Sequence, residues 1–169
     1  MTTMTGPTAP TVVERGDQPF VGVTRTLTMA TLKKASDEIP RLLGWLGQHG
    51  LTPSGAPFLR FLVIDMAKDM VVQAGVPLQE PVEVDGDLEA DVLPAGRYVT
   101  TVHVGPYEGL YGATRDLLQW AGEQGLHFDK HPSDAGEVWA SRVEWYETDP
   151  SEQPDPSTWV TRLTFRLAD

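Results

Sequence analysis

Leu42-Leu43-Gly44-Trp45-Leu46-Gly47-Gln48-His49-Gly50-Leu51 recurs 75 residues later as Leu117-Leu118-Gln119-Trp120-Ala121-Gly122-Glu123-Gln124-Gly125-Leu126, with six of the ten positions identical. Self-similarity at one offset marks a duplicated structural unit. At the same offset, the alternating residues 21–29 fall on the alternating stretch around 98–104. Val21, Val23, Arg25 and Leu27, and then Tyr98, Thr100, Val102 and Val104, carry the period of two of a strand. A helix follows in each unit. Its apolar stripe is Leu32, Ala35, Ile39, Leu42, Leu43 and Leu46 in the first copy, and Leu110, Tyr111, Thr114, Leu117, Leu118 and Ala121 in the second. Pro40 is expected to kink the first helix or restart it. Gly50-Leu51 and Gly125-Leu126 are expected to end the helices alike, with a left-handed glycine and a leucine folding back on the last turn.

Two further strands are expected in each copy, near 57–65 and 70–77 and near 137–147 and 158–166, with an extra extended piece at 88–93. The proline- and acid-rich residues 148–157 read as a solvated loop, and residues 1–18 as a flexible tail. The expected fold is therefore α+β: duplicated strand–helix–strand–strand modules, as pseudo-repeats of about 20–80 and 88–169, with an antiparallel sheet and two helices flanking a central cleft. Clefts between packed units are common homes for small ligands.

Composition narrows the chemistry. The chain has 169 residues, 40% apolar and 22% charged, with no cysteine and a formal charge of −11. Disulfides, thiolate metal sites and cysteine nucleophiles are excluded. The negative field repels phosphate backbones and anionic lipid, so no direct nucleic acid and no membrane are expected as partners, and a cytoplasmic location is. Phosphate-binding loops, dinucleotide fingerprints, serine elbows and H-E-x-x-H pairs do not occur. His127 and His131 have a chelating spacing with Asp129 between them, but they follow a helix-ending glycine and precede Pro132, so a loop is their expected home; no metal and no cofactor are expected.

The stretch 137–147 is the candidate site. A continuous strand puts Arg142, Glu144 and Tyr146 on one face and Trp139 and Trp145 on the other. A carboxylate on a half-buried strand needs an answering charge, which either Arg142 or Arg60 can supply, or else a cationic ligand does. Aromatic faces beside one carboxylate suit flat cations. The candidate ligand-binding residues are Glu144, Tyr146, Tyr107, Tyr111, Phe61, Trp139 and Trp145. Tyr107 and Tyr111 correspond to Leu32 and Ser36 in the first copy, so recognition is expected to fall to the second.

Leu93-Pro94-Ala95-Gly96-Arg97-Tyr98, His103-Val104-Gly105-Pro106-Tyr107-Glu108 and Glu144-Trp145-Tyr146-Glu147-Thr148-Asp149-Pro150 together resemble the GyrI-like family, the effector-binding domain of many bacterial transcription activators. The resemblance runs from about Phe20 to the C-terminus. It implies two strand–helix–strand–strand modules around a ligand cleft, with Glu144 as the acidic residue facing cationic aromatic ligands and Tyr146 and Tyr107 lining or supporting the cleft. Regulators of the family carry a helix-turn-helix region ahead of this domain. Fewer than twenty residues precede the first expected strand here, so a stand-alone binder of amphipathic, aromatic or cationic compounds is expected. Two other branches give the alternatives: a hydrolase of cyclopropanoid genotoxins using Glu144 and Tyr146 as catalytic groups, and an inhibitor or protector that binds gyrase. A regulator protein is a further possible partner.

Overall fold

The computed structural model describes residues 9–65 and 68–169. Among these residues, ten strands form one antiparallel sheet. The first unit comprises β2 (Gln18–Leu27), α1 (Lys33–Ser36), α2 (Ile39–Gln48), β3 (Phe58–Ile64) and β4 (Met70–Pro77). The second comprises β6 (Gly96–Val104), α3 (Leu110–Glu123), β9 (Arg142–Tyr146) and β10 (Val160–Arg166). Flanking strands are β1 (Thr11–Arg15) and β5 (Glu89–Leu93), and the hairpin β7 (Lys130–Ser133) and β8 (Gly136–Trp139) hangs from β3. The main path runs β1-β6-β10-β9-β3-β4-β2-β5, so β9 and β3 pair at the seam between the copies.

Three expectations need correction. Thr11–Arg15, read as part of a tail, pairs residue for residue with 96–100 of β6; a short half-polar strand looks like a tail until its partner is known. His131, given to a loop, lies on β7 opposite Val138. The third concerns the repeat, since each long helix is preceded by a 3-10 turn, Met29–Thr31 and Tyr107–Gly109, 78 residues apart rather than 75. The counterpart of Tyr107 is thus Met29, not Leu32. The first unit holds three more residues between strand and helix, where α1 ends and α2 restarts with Pro40 in its first turn. An odd shift inverts every face of a strand. The offset of 78 matches Val21 with Val99, which both face helix-side cores, and Arg25 with His103.

The helix ends follow the sequence closely. Gly50 and Gly125 have φ of 67° and 73°, and the amides of Leu51 and Leu126 return to the carbonyls of Leu46 and Ala121. Each helix covers its own half of one sheet face. Leu42 and Leu46 pack with Val21, Leu59, Val72 and Val76, while Leu110, Leu117 and Ala121 pack with Val99, Leu163 and Phe165. The other face holds a third cluster of Phe20, Phe58, Leu93, Val143 and Trp145.

Gly22 and Gly75, opposite each other on β2 and β4, make room for Phe20 and Phe58, whose rings meet edge-on at 5.0 Å. A Cβ at position 75 would lie 2.4 Å from the Phe58 ring and 2.9 Å from that of Phe20, both fully buried. Gly75→Ala is therefore expected to cost about 1–3 kcal/mol through overpacking, which lowers Tm by roughly 2–4 °C per kcal/mol. A calorimetric scan checks this, and an unchanged Tm would show that the rings are free to shift.

Candidate functional site

β9 occupies the uncovered middle of the sheet, between the parts carrying α2 and α3. Glu144 stands opposite Leu163 on one neighbouring strand and Leu59 on the other. Those leucines belong to the cores beneath α3 and α2 respectively, so Glu144 lies on the helix-side face at the junction of the two units. It keeps partial exposure there.

Tyr146 Oη donates a 2.8 Å hydrogen bond to Glu144 Oε1. Among the described residues no cation stands within ion-pairing distance of the carboxylate. Arg60, one of the two expected partners, projects from the opposite face and bonds to Gln73, Asp91 and the Ala140 carbonyl. Arg142 shares the face of Glu144 but lies flat on aromatic rings, its guanidinium 4.8 Å from the centroids of both Trp139 and Phe165. Burial lowers its pKa to about 10.

Burial is also the largest influence on Glu144 and raises its pKa above the usual carboxylate value; the Tyr146 hydrogen bond and the nearby Arg142 and His103 pull it down without prevailing. The Tyr146 phenol is pushed well above its ordinary value by burial and then by the Glu144 charge. A raised carboxyl pKa means the folded protein prefers the protonated form. Its contribution to stability is complete below the unfolded pKa and is lost as pH rises through the folded one. Glu144→Gln is thus expected to be more stable than the parent at pH 7, by about 0.5–2 kcal/mol, with the gap closing below pH 4.5. Urea titrations at the two pH values check the sign.

The remaining aromatic candidates divide. Tyr107, on the 3-10 turn before α3, meets the Tyr146 ring edge-on at 5.7 Å and the Trp159 ring at 4.8 Å, forming a wall beside Glu144 and Tyr146. Phe61 is buried in the α2-side core, the cluster against which Tyr146 also packs. Tyr111 is 70% exposed and stands apart from this wall. The expected continuous strand 137–147 is interrupted at Ala140 and Ser141, because the Ala140 amide turns to the Asp129 carbonyl and the Ser141 carbonyl accepts from the Arg166 amide. The break reverses the alternation. Trp139 joins the α3-side core while Trp145 faces the opposite side of the sheet, its indole donating to Thr164, so the two tryptophans do not share a face.

His103 and Trp159 join the neighbourhood without having been singled out. The period-two spacing of β6 held the signal for His103, whereas Trp159 reaches Tyr107 only through pairing distant in sequence. Cavities among the described residues include one of about 530 Å3 beside α3, lined by His103, Gly109 and Trp120 among others, and one of about 430 Å3 between α2 and residues 85–88. Neither includes Glu144.

The model of the GyrI-like small molecule binding domain matches residues 8–167. The chain belongs to this family. No curated protein matches it in sequence. Among solved structures, the C-terminal domain of EcmrR superposes with a TM-score of 0.75 at 20% identity, covering 96% of this chain and 98% of that one. Against the longer EcmrR chain of a DNA complex, the same match spans 58% of that chain. A hydrolase from Listeria innocua gives a TM-score of 0.61 at 15% identity, covering 94% of this chain and 91% of the other. SAV2435, solved bound to tetraphenylphosphonium, gives 0.56 at 10% identity, covering 95% and 94%. At these identities the likeness extends to the fold. No helix among the described residues is long and apolar enough to cross a membrane.

Proposed function

We propose that this small-molecule-binding domain takes up amphipathic aromatic cations in the groove between its two units, with Glu144 as the counter-charge and Tyr146 and Tyr107 as lining. The observation that carries this reading is a carboxylate inside the fold with a tyrosine as hydrogen-bond partner and, among the described residues, no cation at ion-pairing distance, Arg142 and His103 acting on it only from further off. Leaving such a charge uncompensated is costly, and a ligand cation removes the cost. The neighbouring aromatic faces add cation–π attraction of about 0.5–2 kcal/mol. That SAV2435 was solved with tetraphenylphosphonium supports the ligand class by analogy of fold.

Calorimetric titration with tetraphenylphosphonium, and with neutral triphenylphosphine oxide of similar bulk, tests this. The cation is expected to bind at least about tenfold tighter, the equivalent of about 1.4 kcal/mol. Equal affinities would remove charge recognition from the account.

A second reading, hydrolysis of strained electrophiles such as cyclopropanoids, draws support from the raised Glu144 pKa, which makes this carboxylate a stronger base than an exposed one. Glu144 would accept a proton from the attacking water as its oxygen bonds to a ring carbon; the cyclopropane carbon–carbon bond breaks, its electron pair passes to a conjugated carbonyl of the substrate, and the resulting enolate takes a proton from solvent. Ring-opened product accumulating over many equivalents, measured by mass spectrometry, is its test, and a single-equivalent yield counts against it.

A further inference from the structure

Thr161 stands on β10 between Tyr146 and His103, directly opposite each, on the sheet face that carries Glu144. The residue is fully buried, and its hydroxyl has no hydrogen-bond partner among the described residues. An unpaired buried hydroxyl is destabilising, and a valine of the same shape would carry no such cost. Opposed side chains on antiparallel strands have Cβ atoms about 4.5–5.5 Å apart, so Thr161 is an immediate neighbour of the phenol that holds Glu144. The Tyr146 proton is already committed to Glu144 Oε1. Thr100, another threonine with a buried unpaired hydroxyl, is opposite Thr164 on the other face and bears on no part of this groove.

We propose that Thr161 determines specificity within the groove: its hydroxyl is completed by a hydrogen-bonding group on the bound cation, so the protein discriminates among aromatic cations by a polar substituent beside the charge. This rests on the reading of Glu144 as counter-charge. Tyr107 is 38% exposed although it packs against Tyr146, so the wall beside Thr161's neighbour Tyr146 is open to solvent on that side.

Two cations separate the possibilities. Ethidium carries two aromatic amino groups, and tetraphenylphosphonium has no hydrogen-bonding group. Thr161→Val is expected to weaken ethidium about tenfold, the worth of one hydrogen bond, and to leave tetraphenylphosphonium unchanged and Tm equal or higher. Thr161→Ser, which keeps the hydroxyl, is expected to bind ethidium like the parent. The proposal is overturned by unchanged ethidium affinity in Thr161→Val, by equal losses for both cations, or by a fall in Tm that Thr161→Ser restores, since that outcome assigns the hydroxyl a structural water. Glu144→Gln run in parallel keeps the two readings apart: if it affects neither cation while Thr161→Val weakens ethidium alone, the counter-charge reading fails and the Thr161 contact stands.

Discussion

Glu144→Gln is expected to weaken tetraphenylphosphonium binding roughly 30- to 150-fold, or about 2–3 kcal/mol, while leaving the fold intact. The size follows from the setting. A unit charge facing another at about 4 Å is worth about 1 kcal/mol in water and about 4 kcal/mol at the effective dielectric of a partly buried site, less the desolvation of the ligand. Glutamine keeps the shape and can still accept from Tyr146, so the loss isolates charge from packing. The pH dependence has a fixed sign. Protonation removes the counter-charge, so affinity for a permanent cation falls as pH decreases through the Glu144 pKa, and because burial raises that pKa the bend lies above 4.5. The variant has no such bend. Parallel titrations between pH 8 and pH 4 check both outcomes, and identical profiles for parent and variant would remove Glu144 from the groove chemistry.

Trp139→Ala is expected to be the most damaging single change to stability, at about 3–5 kcal/mol, which lowers Tm by roughly 2–4 °C for each kcal/mol. Trp139 is 2% exposed and packs against Phe128 at 5.4 Å and Phe165 at 5.7 Å between ring centroids. It also supplies one of the two rings on which Arg142 lies. Its loss leaves a cavity and strips that guanidinium of half its support, so the arginine is drawn toward the nearest acid on its face, Glu144. Tetraphenylphosphonium affinity should therefore fall as well, measured below the unfolding range. Trp139→Phe should recover most of both losses. A Tm loss smaller than about 2 °C would show that the neighbourhood collapses around the gap.

What the sequence disclosed is what local periodicity and capping encode. The glycine–leucine helix ends at 50–51 and 125–126 depend on residues within one turn, and the strand alternation in 21–27 and 98–104 needs no partner to be recognised. Features set by distant pairing stayed hidden. The break at Ala140 and Ser141 arises from hydrogen bonds to Asp129 and Arg166, which no local pattern in 137–147 announces, and it moved Trp139 to the face opposite the one its spacing implied. The offset that aligned the helices misaligned the strands by three residues, because the extra length sits in a helical turn whose own periodicity tolerates it. Glu144 and Tyr146 were legible as an i, i+2 pair on one strand, and they are hydrogen-bonded there. That neither Arg60 nor Arg142 reaches the carboxylate was not, since it depends on the pleat of β3 and on a ring platform assembled from β8 and β10.

The position of Glu144 between Leu59 and Leu163 has an evolutionary corollary. Leu59 comes from the first copy and Leu163 from the second, so substitution at either leucine, or at Phe61 in the first core, alters the packing around β9 without touching the Glu144–Tyr146 pair itself. On the proposed reading, descendants of such a chain would change which molecules they favour while keeping the same counter-charge.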